Sequence, residues 1–536
     1  MKIKFSIFLF AVFQYVTAQT TFDYEVVLTP ISISTLPGLH SYAFAQHNGK
    51  WLIIGGRKDG LHARQPFNAF PVNQNNSTIY VVDIATQQSW SASLISLPTG
   101  LKEQLQSTNM NFYQDDTTLY ISGGYAYSAS AQDHKTFDNL TAIDVPNLIN
   151  AIVLGNPIAT NFKQISNPAF AITGGQLGKI GNTFYLVGGH KFDGRYNPMN
   201  NPTFTQEYSN QIRKFTIDNS GNTLSIANYS VVTDAVHLHR RDYNLVPQVF
   251  TDGSLGYTIS SGVFQLNANL PFLYPVDIKE DGYYPQSQFN QYLSNYHSGK
   301  VGLYDSVSNQ MHSLFFGGMS QYYYQNGSLV QDNNVPFVKT ISRTTRVSNG
   351  SLYEYKLPIE MPNLKGSGAE FIPNKAIAHY SNEVIDLVNI SANEFVIGHL
   401  YGGIQSSSIS AFTDNQTNLT SSDPTIYEVK LIKTTNLNLD AIDGKNPFSV
   451  EIAPNPTATN MIKVLFDLPY KTKVHYILAS IDGKIVEEGE IEDITAGKTS
   501  MNFDIQASDS AISFLTFIFD DTFYISKKVI KLNTSN

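Results

Sequence analysis

Cysteine is absent from the 536-residue chain. This removes disulfides, thiolate metal sites, a lipid-modified N-terminal cysteine and cysteine nucleophiles together, and leaves the fold to be held by its core. Charge is scarce as well: 15% of residues are charged and the formal balance is −9. Nucleic-acid binding needs basic stripes, so no nucleic-acid partner is expected. No run of spanning length follows the N-terminus, so no transmembrane segment is expected in the mature chain. Tryptophan numbers only 2, against 31 Tyr and 33 Phe. With 42% hydrophobic residues the chain can bury a sizeable core, and its length points to two or more domains.

At the N-terminus, Lys2 and Lys4 precede an apolar stretch over 5–16, and Val16-Thr17-Ala18 follows. That pattern predicts a secretory signal peptide over 1–18, cut after Ala18. The alternative, a membrane anchor, is too short for roughly 30 Å of hydrocarbon.

The dominant internal signal is Trp51-Leu52-Ile53-Ile54-Gly55-Gly56, an apolar run closed by a glycine pair. Variants recur as TLYISGG up to Gly124, TFYLVGG up to Gly189, SLFFGG up to Gly318 and, less cleanly, EFVIGHLYGG up to Gly403. The spacing from Gly188 to Gly317 is about twice its neighbours, and LGYTISSG over 255–262 fills the gap with Ser261 in place of the first glycine. A strand unit of this size cannot bury its own apolar face, so the repeats must stack or close into a ring.

Each unit follows one order. A turn-rich strand (43–48, 109–115, 176–181) leads into the apolar strand, the glycine pair opens a long polar loop, and a third strand follows (78–84, 211–217, 336–340, 425–432). Four strands per unit around an axis make a β-propeller, whose ring protects strand edges. Six units predict six blades, with seven as the alternative. The β-branched segment 22–33 is expected to close the ring by adding a strand to the last unit.

This order resembles the Kelch propeller family over 34–433. The unit 51–90 shows it best, with Gly55-Gly56, then Tyr80-Val81-Val82-Asp83, then Trp90. The resemblance implies a propeller over 22–433. Beyond a polar stretch taken as a linker over 434–445, seven short strands separated by turn signals predict a small immunoglobulin-like β-sandwich over 446–536. Ala453-Pro454-Asn455-Pro456, Ile481-Asp482-Gly483-Lys484-Ile485-Val486 and Ser526-Lys527-Lys528-Val529-Ile530-Lys531 resemble the type A sorting domain of the type IX secretion system of Bacteroidota. That resemblance implies export through periplasm and outer membrane to a secreted or cell-surface location, with the secretion machinery as a partner. In place of that family's Gly-x-aromatic the chain has Ile512-Ser513-Phe514.

Propeller loops build one face, and loops are where function concentrates. The long ones here (57–77, 125–139, 190–210, 282–297, 319–335, 404–423) are rich in Tyr, Asn, Gln and Ser and poor in charge. Aromatic faces stack on sugar rings while amides bond hydroxyls, so neutral polar ligands, sugars above all, are expected. Tyr322, Tyr323, Tyr324, Tyr283, Tyr284, Tyr196 and Phe67 are the candidate contacts; the alternative is that these rings pad blade edges or meet a protein partner.

The densest ionisable cluster is His237-Leu238-His239-Arg240-Arg241-Asp242. On a strand His237 and His239 share a face, and with Arg240 and Arg241 they could hold a metal or phosphate. No third ligand is at hand, so a structural role is favoured, with no metal site, while His239, Arg240 and Arg241 stay on the ligand list. His40, His297 and His379 lie before or in first strands and are expected near the central channel.

No hydrolase, zinc-protease or phosphate-loop motif is present, and no cofactor is expected. A copper oxidase of the galactose oxidase type would need a cysteine. Catalytic residues cannot be named, because paired carboxylates on different blades leave no linear trace. The expectation is a binding protein for a glycan or a surface protein. The competing reading is a carbohydrate-active enzyme, either a glycoside hydrolase or a sugar isomerase on the same kind of ring.

Overall fold

The computed structural model describes residues 22–198, 203–434, 439–508 and 510–532. The predicted signal peptide lies outside them.

Six antiparallel sheets, each with a four-stranded core, form the blades. Blade one is Ala43–His47, Lys50–Ile54, Thr78–Asp83 and Gln88–Ser93; blade six is Leu364–Pro373, Glu394–Ser406, Ile426–Lys433 and, outermost, the N-terminal Tyr24–Ile31. The N-terminal strand therefore closes the ring as expected, running antiparallel to Ile426–Lys433 from Tyr24↔Lys433 to Ile31↔Ile426. The degenerate unit is real: Leu255–Ser260 is the second strand of blade four. In blade five the third strand is Thr340–Arg346 rather than 336–340. Phe337 bridges to Met319 and the Val338 amide bonds Gly318 O, so the loop holds those residues and delays the blade strand.

The sequence pattern follows from blade packing. Second strands such as Lys50–Ile54 and Thr183–Val187 are buried on both faces, because each blade is covered by two neighbours, and so they read as continuous apolar runs. The outermost Gln88–Ser93 has no fully buried residue and reads QSWSAS. Separate clusters fill the interfaces: Tyr42, Trp51, Ile53 and Tyr401 between blades six and one, Leu52, Ile54, Leu119 and Ile121 between one and two, and Leu314, Phe316, Phe371 and Leu400 between five and six.

Two rings of backbone hydrogen bonds link the blades. In the inner one, a residue just before each innermost strand, or in blade six within it, donates to its counterpart in the preceding blade: Ser41 N to Gly368 O (2.8 Å), Asn109 N to Ser41 O (3.1 Å), Gly174 N to Asn109 O (3.2 Å), Asp242 N to Gly174 O (2.8 Å), His297 N to Asp242 O (2.8 Å) and Gly368 N to His297 O (2.9 Å). This circle closes after six members, which fixes the blade count at six. Five of the six sit at positive φ, where Ser, Asn, Asp and Gly are tolerated better than bulky residues: Ser41 54°, Asn109 51°, Gly174 65°, Asp242 50° and Gly368 69°.

The outer ring explains the glycine pairs. The second member of each pair donates to the entry segment of the next blade: Gly56 to Ser107 O, Gly124 to Ile172 O, Gly189 to Arg240 O, Gly262 to Asn295 O, Gly318 to Lys365 O and Gly403 to Leu39 O, at 2.8–3.2 Å. The first member is pressed against that same segment. A Cβ on Gly123 (φ 67°) would meet Ile172 O at 1.9 Å. In blade four Ser261 takes the same left-handed conformation (φ 57°) and its hydroxyl bonds Phe272 O at 2.6 Å.

The C-terminal region is the expected seven-stranded sandwich, with Ser449–Ala453, Met461–Leu468 and Gly497–Asp504 facing Thr472–Ser480, Ile485–Ile494, Ile512–Phe519 and Phe523–Ile530. Met461–Leu468 alternates exposed and buried along its whole length, as a strand with one covered face must. The sandwich is docked on blade four: Ile477, Ile518 and Tyr524 share a core with Phe272 and Tyr274, Tyr524 Oη donates to Gln265 Oε1 (2.9 Å), and Ser526 Oγ lies 3.0 Å from His237 Nε2. The expected linker does not run free in its described part. Ile442 N bonds Glu354 O at 2.8 Å and Asn290 N bonds Gly444 O at 2.7 Å.

Candidate functional site

At the loop face, the segments around the inner ring leave a cavity of about 250 Å³. Two positions in every blade but the fourth, and one in the fourth, build it. One is the residue preceding each ring member: His40, Thr108, Thr173, Arg241, Tyr296 and Ser367. The other is the residue following a glycine pair: Arg57, Tyr125, His190, Met319 and Ile404. The two sets are held together by backbone bridges, His40 to Arg57, Thr108 to Tyr125 and Thr173 to His190. Side chains from the long loops complete the wall, so every blade contributes.

The wall is aromatic. His62 is stacked on Phe70 (4.8 Å between centroids), with Tyr196 (4.5 Å) and Phe412 (5.5 Å) edge-on around it. Phe70 also meets Tyr125 at 5.2 Å, and Tyr196 stacks on Phe204 at 5.8 Å. Burial pushes the His62 imidazole down to about 4 and holds His190 well below the usual imidazole range, the latter with help from Arg241. Burial lowers His40 too, against the pull of Asp59. These three rings are neutral at pH 7.

The cations in the wall are already engaged. Arg57 holds Asp59 through Nε (2.8 Å) and Nη2 (2.5 Å), and Nη1 reaches Asn75 Oδ1 at 2.7 Å. Arg241 pairs with Asp242, donates from Nε to Tyr208 Oη (3.1 Å) and lies 4.9 Å from the Phe264 ring centre. Beyond the inner ring the channel continues into a second cavity of about 160 Å³, bordered by the innermost strands. There Glu370 lies 3.1 Å from His297 Nε2 and 3.7 Å from Lys300 Nζ. Burial raises the Glu370 carboxyl, but those two partners outweigh it and hold the group below the usual range.

Of the ten candidate residues, Tyr196 and Arg241 line the mouth cavity. Phe67 stands 88% exposed on the Pro66–Asn68 turn, outside the lining. Tyr283 and Tyr284 lie on Gly282–Pro285, the outermost strand of blade four, with the Tyr283 hydroxyl given to Asp234 (2.7 Å). Tyr322, Tyr323 and Tyr324 belong to a hairpin of Tyr322–Gln325 and Ser328–Gln331; Tyr322 packs on Tyr292 at 4.8 Å, and none of the three lines the cavity. His239 is stacked behind the wall on Tyr208 at 3.9 Å, and burial followed by Arg241 lowers it to about 4.

Arg240 is corrected outright as a ligand contact. It is fully buried, bonds the carbonyls of His237, Ser261 and Tyr274 (2.7–2.9 Å), and lies between the rings of Phe272 and Tyr274. His40 and His297 reach the channel as expected, whereas His379 is exposed and bonds Ile377 O. Arg57, His62, Phe70, Tyr125, His190, Phe192, Tyr296 and Phe412 escaped sequence reasoning. For Arg57, Tyr125 and His190 a signal existed, their place directly after a glycine pair.

No protein-family model matches the chain, and no curated protein matches it. Among solved structures, one titled "Structure of YjhT" aligns with 75% of this chain and 100% of its own at 11% identity and a TM-score of 0.40. A mutant of Trypanosoma rangeli sialidase displaying trans-sialidase activity aligns with 96% of this chain and 89% of its own at 8% identity and a TM-score of 0.36. Likenesses this loose carry no argument, and the propeller stands on its closed ring of hydrogen bonds. Neither the Kelch nor the sorting-domain resemblance has a matching family model; the coarser description, a β-propeller with a C-terminal sandwich, is the one that holds.

Proposed function

We propose that the chain is a binding protein for carbohydrate, exported to the cell surface or the medium, with the loop-face cavity of a Kelch-type ring as its binding site. The observation that carries this reading is the convergence, at one axial cavity, of aromatic faces (Phe70, Tyr125, Tyr196, Phe412) with neutral polar groups from several blades. Aromatic faces take the apolar side of a sugar ring and the polar groups take its hydroxyls, the usual composition of a preformed small-ligand site. The sandwich, read as a type IX sorting domain, would direct export.

Calorimetric titration of the purified chain with a panel of glycans tests the reading. Binding should be seen, and Tyr196→Ala should weaken it about ten-fold, the loss of roughly 1.4 kcal/mol of contact. Binding that Tyr196→Ala leaves intact would place the site elsewhere.

A second reading, a carbohydrate-active enzyme, is favoured by one feature: Asp242 in the inner ring and Glu370 beyond it both border the channel. Glycoside turnover or anomer exchange that disappears in Asp242→Asn would select it.

A further inference from the structure

Three polar atoms of the mouth cavity make no hydrogen bond of ordinary length among the described residues: His62 Nδ1, Thr108 Oγ1 and His40 Nε2, the last lying 3.7 Å from Asp59 Oδ1. Buried polar atoms are seldom left unpaired, and three of them around one cavity mark places where a ligand's own polar groups belong. All three are uncharged partners, since the two imidazoles are neutral and the third group is a hydroxyl. The charge of the wall's arginines is already balanced: Arg57 is paired with Asp59 and bonds Asn75, and Arg241 is paired with Asp242 and bonds Tyr208. An acidic ligand would lie beside Asp59 and Asp242, whose carboxylates already balance the two arginines, so the wall offers it no net attraction.

The floor of the cavity sets a second limit. Ser41, Asn109, Asp242 and His297, four members of the hydrogen-bonded ring, border both cavities. Six positions about 4.8 Å apart lie on a circle of about the same radius, and subtracting about 2 Å for the atoms leaves an opening of roughly 6 Å across before side chains intrude. A pyranose ring with its hydroxyls does not pass such an opening. A chain of sugars can therefore enter from the loop face but cannot thread through.

We propose that the mouth cavity holds one neutral sugar unit at the end of a glycan, inserted end-on, with its hydroxyls bonded by His40, His62 and Thr108. This rests on the carbohydrate reading of the site and narrows it to neutral chain ends.

The test is calorimetric titration of the full purified chain with three sets of oligosaccharides: linear neutral ones, cyclic neutral ones that have no end, and linear ones ending in a uronic or sialic acid. Linear neutral chains should bind, and the other two sets should bind at least ten-fold more weakly. Thr108→Val keeps the side chain's shape while removing its hydroxyl, and should cost about five-fold in affinity for the linear neutral set, near the 1 kcal/mol of one hydrogen bond. Equal or tighter binding of cyclic or acid-ended chains would overturn the inference and leave the carbohydrate reading standing. Absence of binding in all three sets would overturn both.

Discussion

Gly123→Ala and Gly155→Ala form a matched pair that isolates what the glycine pairs do. The two residues have nearly the same backbone angle, φ 67° and 70°. A β-carbon forced into this left-handed region costs about 1–2 kcal/mol in either place. Around Gly155, the cap of the Val145–Leu154 helix, a Cβ would meet nothing within 4 Å, so that strain is the whole cost. At Gly123 the new carbon would lie 1.9 Å from Ile172 O and 2.8 Å from Phe170 O, and the entry segment of blade three would have to withdraw. Two hydrogen bonds accepted by Ile172 O, from Gly124 N (3.0 Å) and Asn111 Nδ2 (2.9 Å), would stretch or break at about 1 kcal/mol each. Gly123→Ala should thus destabilise the propeller by about 3–4 kcal/mol and Gly155→Ala by about 1–2. Urea unfolding followed by the fluorescence of Trp51 and Trp90 reads the difference directly. If the two variants lose the same stability, the glycine pairs do not act by letting one blade's backbone press on the next, and the account of the repeat is wrong.

Tyr524→Ala removes a buried ring that packs on Phe272 and Tyr274 across the sandwich–propeller contact; it should cost about 3–5 kcal/mol and split a single calorimetric transition into two, whereas an unchanged melting profile would mean that the sandwich is independent of the ring. Acid should destabilise the fold through His62, His239 and His399, each held near 4 by burial first. The unfolded chain takes up protons from about pH 6.5 down while these rings stay neutral in the native state, so stability is complete above about 6.5 and is lost toward 4, by roughly 1–3 kcal/mol per group after allowance for part-exposure. Thermal unfolding at pH 7, 5.5 and 4.5 checks the sign, and a midpoint that rises on acidification would contradict it. Deleting 446–536 should leave the protein in the periplasm on cell fractionation; normal export of that truncation would remove the sorting assignment.

The architecture was legible because blade packing writes itself into sequence. A strand buried on both faces must be apolar throughout, and a chain that presses on its neighbour must carry glycine, so TLYISGG and its relatives mark second strands one by one. Ser261 could be recognised as a glycine substitute because LGYTISSG fills the double gap between glycine pairs, and the structure places it at the same left-handed position. The Val145–Leu154 helix between the third and fourth strands of blade two went unread, since it is an insertion outside the repeat. The site was harder. Runs such as Tyr322-Tyr323-Tyr324 and Tyr283-Tyr284 draw attention by composition, yet they sit on a side hairpin and an outermost strand. The cavity wall is chosen by register instead: one place before each ring member and one after each glycine pair, each filled by a different residue type. His62, Phe70 and Phe412 come from loops whose path no local pattern specifies.

A crystal structure of the full chain soaked with a linear neutral oligosaccharide tests the central claim most directly. The account predicts density for one sugar unit in the mouth cavity, its ring against Tyr196 or Phe412 and its hydroxyls on His62 and Thr108. Density on the Tyr322–Gln325 hairpin, or along the outermost strand of blade four, with the mouth left empty, would contradict it.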